Sequence, residues 1–334
     1  MTMTADGDTP HGNPLRRALV TGGAGFLGST LCTRLLDQGV AVTAVDCFLD
    51  FYPRALKEAN LLEIRESPDF ELLERDLADG DLDEIVGSVD AIFHLAAQAG
   101  VRGSFGSGFD GYLRNNVQAT QRLLEAAVRN PVDAFVYASS SSIYGNASNY
   151  PTSEDSPRLP VSPYGMTKCA TEDLALLYER LHGVPTVGLR YFTAYGPRQR
   201  PDMAFSRFVS AALASEEITV LGDGLQVRDF TFVDDVVDAS IAAAAHGRSG
   251  SLYNVGGGTP VTLLQAIEVL EGCVGKKLRL RHDAAARGDA RRTGADTSKI
   301  EADLGMVPST PLEVGISRQV EWMRDRDAQL AAAR

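Results

Sequence analysis

The run from Thr21 to Gly28, Thr-Gly-Gly-Ala-Gly-Phe-Leu-Gly, constrains what this chain can fold into more than any other stretch. The apolar residues Ala18-Leu19-Val20 before it read as a β-strand, and Ser29 to Leu36 after it carry apolar residues at helical spacing. A strand, a glycine turn and a helix start make an anion site, because free backbone N–H groups and the helix dipole face a diphosphate. Gly22 allows a tight turn, Gly25 admits close approach of a cofactor, and Gly28 lets the helix pack against the strand. Phe26 and Leu27 complete the loop expected to face that cofactor.

The second apolar strand, residues 41–45, ends in Asp46, roughly twenty residues beyond the glycines, as ribose recognition requires. A carboxylate there accepts from the 2′-hydroxyl of NAD and repels the 2′-phosphate of NADP. Cys47 and Phe48 follow with no adjacent cation in sequence, so NAD is the expected cofactor. A glycine turn with a coincidental carboxylate is the competing reading.

With 334 residues the chain can bury a large core and hold two lobes. Its net charge of −12 argues against a nucleic-acid or anionic-membrane partner, so an anionic substrate must be held by local cations and backbone donors. No apolar run approaches the ~18 residues needed to span a bilayer. Residues 1–14 are polar, lack the apolar segment of a secretory signal and are expected to form a disordered tail. The four cysteines form no CxxC pair, which suits reduced thiols in a cytoplasmic protein. The five histidines show no metal-ligand spacing, and no metal is expected. His94 closes the apolar strand 91–94 and reads as a satisfied buried histidine rather than a ligand.

Strand and helix signals alternate through the first half, with further strands at 70–74, 91–94, 134–138 and 186–189 and helices at 112–129 and 167–181. That alternation implies an α/β fold, a Rossmann-type doubly wound parallel sheet. Later helices are expected at 205–214, 233–245, 263–273 and 311–324, and short strands at 218–221, 252–255 and 277–281. The expected division is a dinucleotide-binding domain of residues 15–190 plus 229–258. A smaller α/β substrate-binding lobe would comprise 191–228 plus 259–330.

Tyr164-Gly165-Met166-Thr167-Lys168 places a tyrosine and a lysine four residues apart, on one helix face. Free tyrosine ionises near pH ~10, and a nearby ammonium can lower such a value by roughly 1–3 units. Lys168 could therefore ready Tyr164 for proton abstraction. The serine run Ser139-Ser140-Ser141-Ser142 lies at the C-terminal end of a strand, where ligands gather in open α/β sheets. A hydroxyl there can bond a substrate oxygen and relay its proton to Tyr164. A polar turn capping a helix is the plainer reading of some of these serines.

These motifs, in order, resemble the extended short-chain dehydrogenase/reductases that act on nucleotide sugars, the NAD-dependent epimerase/dehydratase family. The resemblance covers nearly all of residues 16–325: TGGAGFLG, Asp46, Asp76-Leu77, His94-Leu95-Ala96-Ala97, Asn116, the serine run, YxxxK, Arg190-Tyr191-Phe192 and the stretch 221–230. It implies that Asp76 and Leu77 lie by the adenine, and that Leu95, Ala96, Ala97 and Asn116 line the cofactor together with Tyr164 and Lys168. It further implies that Ser140 assists Tyr164 as a catalytic group with Lys168, and that Arg228 meets the substrate diphosphate. Arg228 alone could equally be a solvated surface charge. A homodimer packed through helices around 118–128 and 167–181 is also implied.

Reactions in such enzymes begin with oxidation at C4 of the sugar. A 4,6-dehydratase of this kind would carry an Asp-Glu pair where Ser141 and Ser142 stand, and a UDP-glucuronate decarboxylase a glutamate nearby. Neither is present, leaving 4-epimerisation of a UDP-sugar as the expected reaction. The stretches 94–102, 193–204 and 50–57 resemble UDP-glucuronate 4-epimerases, including Thr193 where most relatives handling neutral sugars have asparagine. Arg200 is the candidate cation for a substrate carboxylate, with Thr193, Ser141 and Ser142 as neutral donors. A structural or solvent-facing Arg200 is the alternative. Asp289 is expected at the uridine ribose, although Arg287 stands one place away from the arginine of the usual Arg-x-Gly-Asp pattern. A UDP-glucose/UDP-galactose 4-epimerase, a decarboxylase and a catalytically silent NAD-sensing interaction protein remain as other readings.

Overall fold

The computed structural model describes residues 15–284 and 290–332, so the expected tail, Arg287 and Asp289 lie outside the described residues. Strands β1 (Arg17–Thr21), β2 (Ala41–Asp46), β3 (Phe70–Glu74), β4 (Ala91–His94), β5 (Ala134–Ser140) and β6 (Thr186–Tyr191) build the main sheet. Short strands follow as β7 (Thr193–Tyr195), β8 (Ile218–Leu221), β9 (Val227–Arg228) and β10 (Phe230–Phe232). Then come β11 (Ser251–Val255), β12 (Val261–Thr262) and β13 (Leu280–Asp283). β11 returns to the main sheet, giving a seven-stranded parallel sheet of order β11-β6-β5-β4-β1-β2-β3. Three two-stranded pairs, β10-β7, β12-β9 and β13-β8, lie outside it.

The helices are α1 (Phe26–Asp37), α2 (Arg54–Ala59), α3 (Asp83–Val86), α4 (Phe109–Tyr112), α5 (Ala119–Arg129) and α6 (Pro163–His182). They continue as α7 (Ala204–Ala214), α8 (Val233–His246), α9 (Leu263–Val274), α10 (Ser298–Leu304) and α11 (Leu312–Ala332). Because strand side chains alternate, Ala18 and Val20 of β1 join one buried cluster with α1 and α8, while Leu19 joins another with α5 and α6. Helices on both faces explain why the strands read as continuous apolar runs.

The sheet order reverses at β1, whose Thr21 lies opposite Val45 of β2 and His94 of β4. The glycine loop, Asp46 and Leu95 thus emerge together at one sheet edge, the crevice where such sheets bind ligands. The expected helix over 112–129 is instead the end of α4, a π-helical stretch Leu113–Gln118, and α5. Apolar periodicity does not register one wider turn. The strand expected at 277–281 starts later, at Leu280, and the last helix runs on past 324 to Ala332.

Candidate active site

A cavity of about 510 Å³ runs along that edge, walled by the residues that follow strands β1 to β6. At one end stand Gly22, Gly25, Phe26, Leu27 and Gly28, with Asp46, Asp76, Leu77 and Leu95 to Ala97. Gly22 has φ +71°, and a Cβ there would come within 2.9 Å of the Ala96 nitrogen. A Cβ on Gly28 would run into the Gly22 carbonyl. The cradle is therefore open only because both positions are glycine, and with Asp46 at the end of β2 it fits a dinucleotide.

Asp46 is buried, accepting from the Ala24 nitrogen at 3.2 Å and the Phe48 nitrogen at 2.8 Å. No cation adjoins Asp46 in sequence, but α2 brings buried Lys57 to 3.4 Å from it in space. Eleven residues and a turn separate the two in the chain, which hides the pair from a linear reading. Lys57 also donates to the Leu49 carbonyl, so it neutralises a buried carboxylate and fixes the loop after β2.

Asn116, expected on the cofactor, is not in the cavity wall. Its Oδ1 accepts from the Gln98 nitrogen at 2.7 Å, and its Nδ2 donates to the Gln98 carbonyl and to Thr167 Oγ1. Fully occupied and buried, it ties the loop after β4 to the helix that carries the tyrosine. His94 is likewise buried between Thr21 and Thr120 hydroxyls at 2.8 and 2.9 Å, and burial holds its pKa down to about 3.

Ser162 caps α6 by accepting from the Gly165 nitrogen, and Pro163 opens the first turn. Tyr164 sits in that turn, so the helix starts earlier than the 167–181 expectation. Its ring meets Tyr112 edge-on at 6.2 Å, and Tyr112 is anchored to the Gly100 carbonyl. Burial raises the Tyr164 pKa, whereas the Ser140 hydroxyl and the Arg200 charge pull it down. Ser140 is itself oriented by accepting from the Ser142 nitrogen. Lys168, expected to lower Tyr164, donates instead to the Ala138 carbonyl at 2.8 Å. Burial brings the Lys168 pKa down to about 8, opposed by the Glu172 carboxylate one turn further on.

Glu172 is a residue that motif reading passed over. It is fully buried, accepts from Ser139 at 2.5 Å, and holds Arg190 of β6 through two bonds of 2.9 Å. Arg190 in turn donates to Tyr144, and Tyr144 donates to Asn254 at the end of β11. The helix bearing Tyr164 and Lys168 is thereby locked to the strand bearing Ser140 through charge-assisted bonds.

At the other end of the cavity stand Ser141, Ser142, Thr193, Arg200, Arg228 and Thr293. Arg200 forms a two-bond ion pair with Asp202, at 3.0 Å and 2.9 Å, and lies 5.5 Å above the Phe51 ring. Arg228 donates to the Val227 carbonyl. The next residue, buried Asp229, accepts from the Ala295 nitrogen and donates its own N–H to Thr293. Among the described residues that line the cavity, Asp46 and Asp76 are the carboxylates, and both are at the dinucleotide end.

Residues 18–256 match the model of the NAD dependent epimerase/dehydratase family. The chain belongs to that family. This epimerase/dehydratase-family chain is 40% identical over 309 residues to an uncharacterised UDP-glucose epimerase, YtcB, of Bacillus subtilis, covering 92% of this chain and 98% of that one. It is 37% identical over 312 residues to a UDP-glucuronate 4-epimerase of Thermodesulfobacterium geofontis, covering 92% and 96%. A crystal structure of UDP-glucuronic acid 4-epimerase from Bacillus cereus with UDP-glucuronic acid and NAD superposes with a TM-score of 0.90 at 38% identity, covering 93% of this chain and 99% of that one. The family member described here is accordingly an NAD-dependent enzyme, and its glycine cradle and Asp46 are the parts that suit NAD.

Proposed function

We propose that this enzyme is a UDP-glucuronate 4-epimerase, interconverting UDP-glucuronate and UDP-galacturonate through a 4-keto sugar. The observation that carries this reading is the common wall formed by Ser140, Tyr164, Thr193, Ser141, Ser142 and Arg200. The Thermodesulfobacterium geofontis relative and the Bacillus cereus structure support it.

When bound, NAD supplies a hydride acceptor that can return the hydride. Tyr164, assisted by Ser140, takes the proton of the sugar 4-hydroxyl and later gives one back. Gly22, Gly25, Gly28 and Asp46 hold the cofactor, and Lys168 steadies it beside Tyr164. Arg228 and Asp289 take the nucleotide diphosphate and ribose. Among the described residues no carboxylate lines the sugar end of the cavity to eliminate water from C5 and C6, so in this reading the keto sugar turns over and is reduced on its other face. Oxidised at C4, a glucuronate is a β-keto acid that loses carbon dioxide when its carboxylate is free to align; Arg200, Thr193, Ser141 and Ser142 restrain it through charge-assisted bonds.

Residues 191–228 and 259–330 form the nucleotide-sugar lobe in this reading, against a dinucleotide-binding domain of 15–190 and 229–258. Exposed Leu113, Leu177 and Leu181, beside or on α5 and α6, favour a homodimer through those helices.

Proton NMR of UDP-glucuronate with the purified protein and catalytic NAD tests the assignment. UDP-galacturonate without net NADH supports it, and a UDP-pentose product means a decarboxylase. Inertness toward UDP-glucuronate with conversion of UDP-glucose to UDP-galactose moves the assignment to the neutral-sugar epimerase. Arg200→Ala is expected to lose more activity with UDP-glucuronate than with UDP-glucose, and equal losses overturn the carboxylate role.

A further inference from the structure

Arg200 faces the sugar end of the cavity with a partner already in place. Its Nε and Nη2 meet the two oxygens of Asp202, two residues along the same turn. The arginine side chain is 19% exposed and that of Asp202 41%, so the pair straddles the wall, its cation inward and its anion toward solvent. Phe51 covers the guanidinium at 5.5 Å. The side-on bidentate pair uses one edge of a five-donor group and leaves Nη1 as the remaining edge. Among the described residues Nη1 has no hydrogen-bond partner.

Two requirements conflict at this place. A substrate carboxylate has to be held, yet the keto sugar has to turn over between loss and return of the hydride. A guanidinium with the substrate as its sole partner would be stranded in a partly dry wall during that turn, and charge-assisted bidentate pairs are strong there. Asp202 gives Arg200 a second carboxylate within the same turn of chain. It also leaves the pair neutral before a substrate enters.

We propose that Asp202 is a resident counter-ion that exchanges with the substrate carboxylate on Arg200, loosening the grip on a uronate sugar enough for it to turn over. This rests on the UDP-glucuronate reading above. Asp202 is thus a positioning residue, acting through Arg200.

The test compares steady-state kinetics on UDP-glucuronate for the wild type, Asp202→Asn and Asp202→Glu, with UDP-glucose as a competitive inhibitor of each. Removing the resident charge lets the substrate carboxylate claim Arg200, so Asp202→Asn lowers KM roughly three- to tenfold and lowers kcat by a similar factor as the turn slows. The inhibition constant of UDP-glucose, which has no carboxylate, stays within about twofold. Asp202→Glu restores kcat, because the carboxylate is back. If Asp202 merely braced Arg200, Asp202→Asn would raise KM, and that result overturns the exchange. A lower KM with kcat unmoved overturns it as well, since Asp202 would then compete without taking part in the turn. Failure of the wild type to convert UDP-glucuronate overturns both this inference and the function on which it rests, which separates the two cases.

Discussion

Lys168→Met should make the apoprotein more stable at neutral pH while abolishing turnover. Lys168 is 4% exposed, and burial depresses its pKa from 10.5 to about 8. That difference corresponds to about 3 kcal/mol that folding spends on burying the ammonium. Methionine follows a similar path without the charge but forfeits the bond to the Ala138 carbonyl, worth about 1 kcal/mol. The net gain is therefore about 1–2 kcal/mol at pH 7, or about 2–3 °C in Tm for a chain of this size. The sign with pH follows from linkage. Below pH 8 the wild type carries the full penalty. Between 8 and 10.5 the unfolded chain binds more protons than the folded one, so wild-type stability rises with pH and the penalty is gone above 10.5. Thermal unfolding followed by circular dichroism at pH 7, 9 and 10.5, without NAD, should show the variant's advantage shrinking and then reversing. A variant less stable than wild type at pH 7, or an offset equal at pH 7 and 10.5, would refute the reasoning.

Tyr164→Phe removes one hydroxyl from the first turn of α6 and should cost more than about a thousandfold in kcat while bound NAD, measured after denaturation, is retained. Arg190→Met takes both 2.9 Å bonds from the fully buried Glu172 and leaves it only Ser139 and, at 3.5 Å, Arg158, so chemical unfolding should show a loss of about 3 kcal/mol. Glu172→Gln combined with Arg190→Met should recover part of that loss, which a double-mutant cycle would measure. Gly28→Ala drives a methyl into the Gly22 carbonyl and should abolish NAD retention, read by calorimetry, with the far-ultraviolet spectrum unchanged.

What was legible along the chain was what is local. The glycine turn lies between β1 and α1, Asp46 closes β2, and Tyr164 and Lys168 share one helix, each within one turn or strand of its motif. The pairings were not legible, because charge partners are chosen by folding. Lys57 reaches Asp46 by way of a six-residue helix too short to show periodicity. Glu172 finds Arg190 across the gap between α6 and β6. Asn116, expected to line the cofactor, sits behind the wall, since a motif position does not tell which way a side chain faces. Strands of two or three residues, such as β9 and β7, are shorter than any alternation that could reveal them. Arg200 and Asp202 are separated by Pro201 alone, yet nothing in the stretch 193–204 tells that the two pair before any ligand arrives.

The late arrival of β11 bears on how the enzyme is made. The seventh strand of the sheet comes from residues 251–255, after the chain has left β6 and built β7 to β10. Until a ribosome has released that segment, β6 presents an unpaired edge whose six residues are all buried in the finished protein. Such an edge recruits other chains. A nascent or truncated polypeptide ending near residue 190 would thus contain most of the dinucleotide-binding sequence and still be sticky. Synthesis must run past residue 255 before the sheet has all seven of its strands.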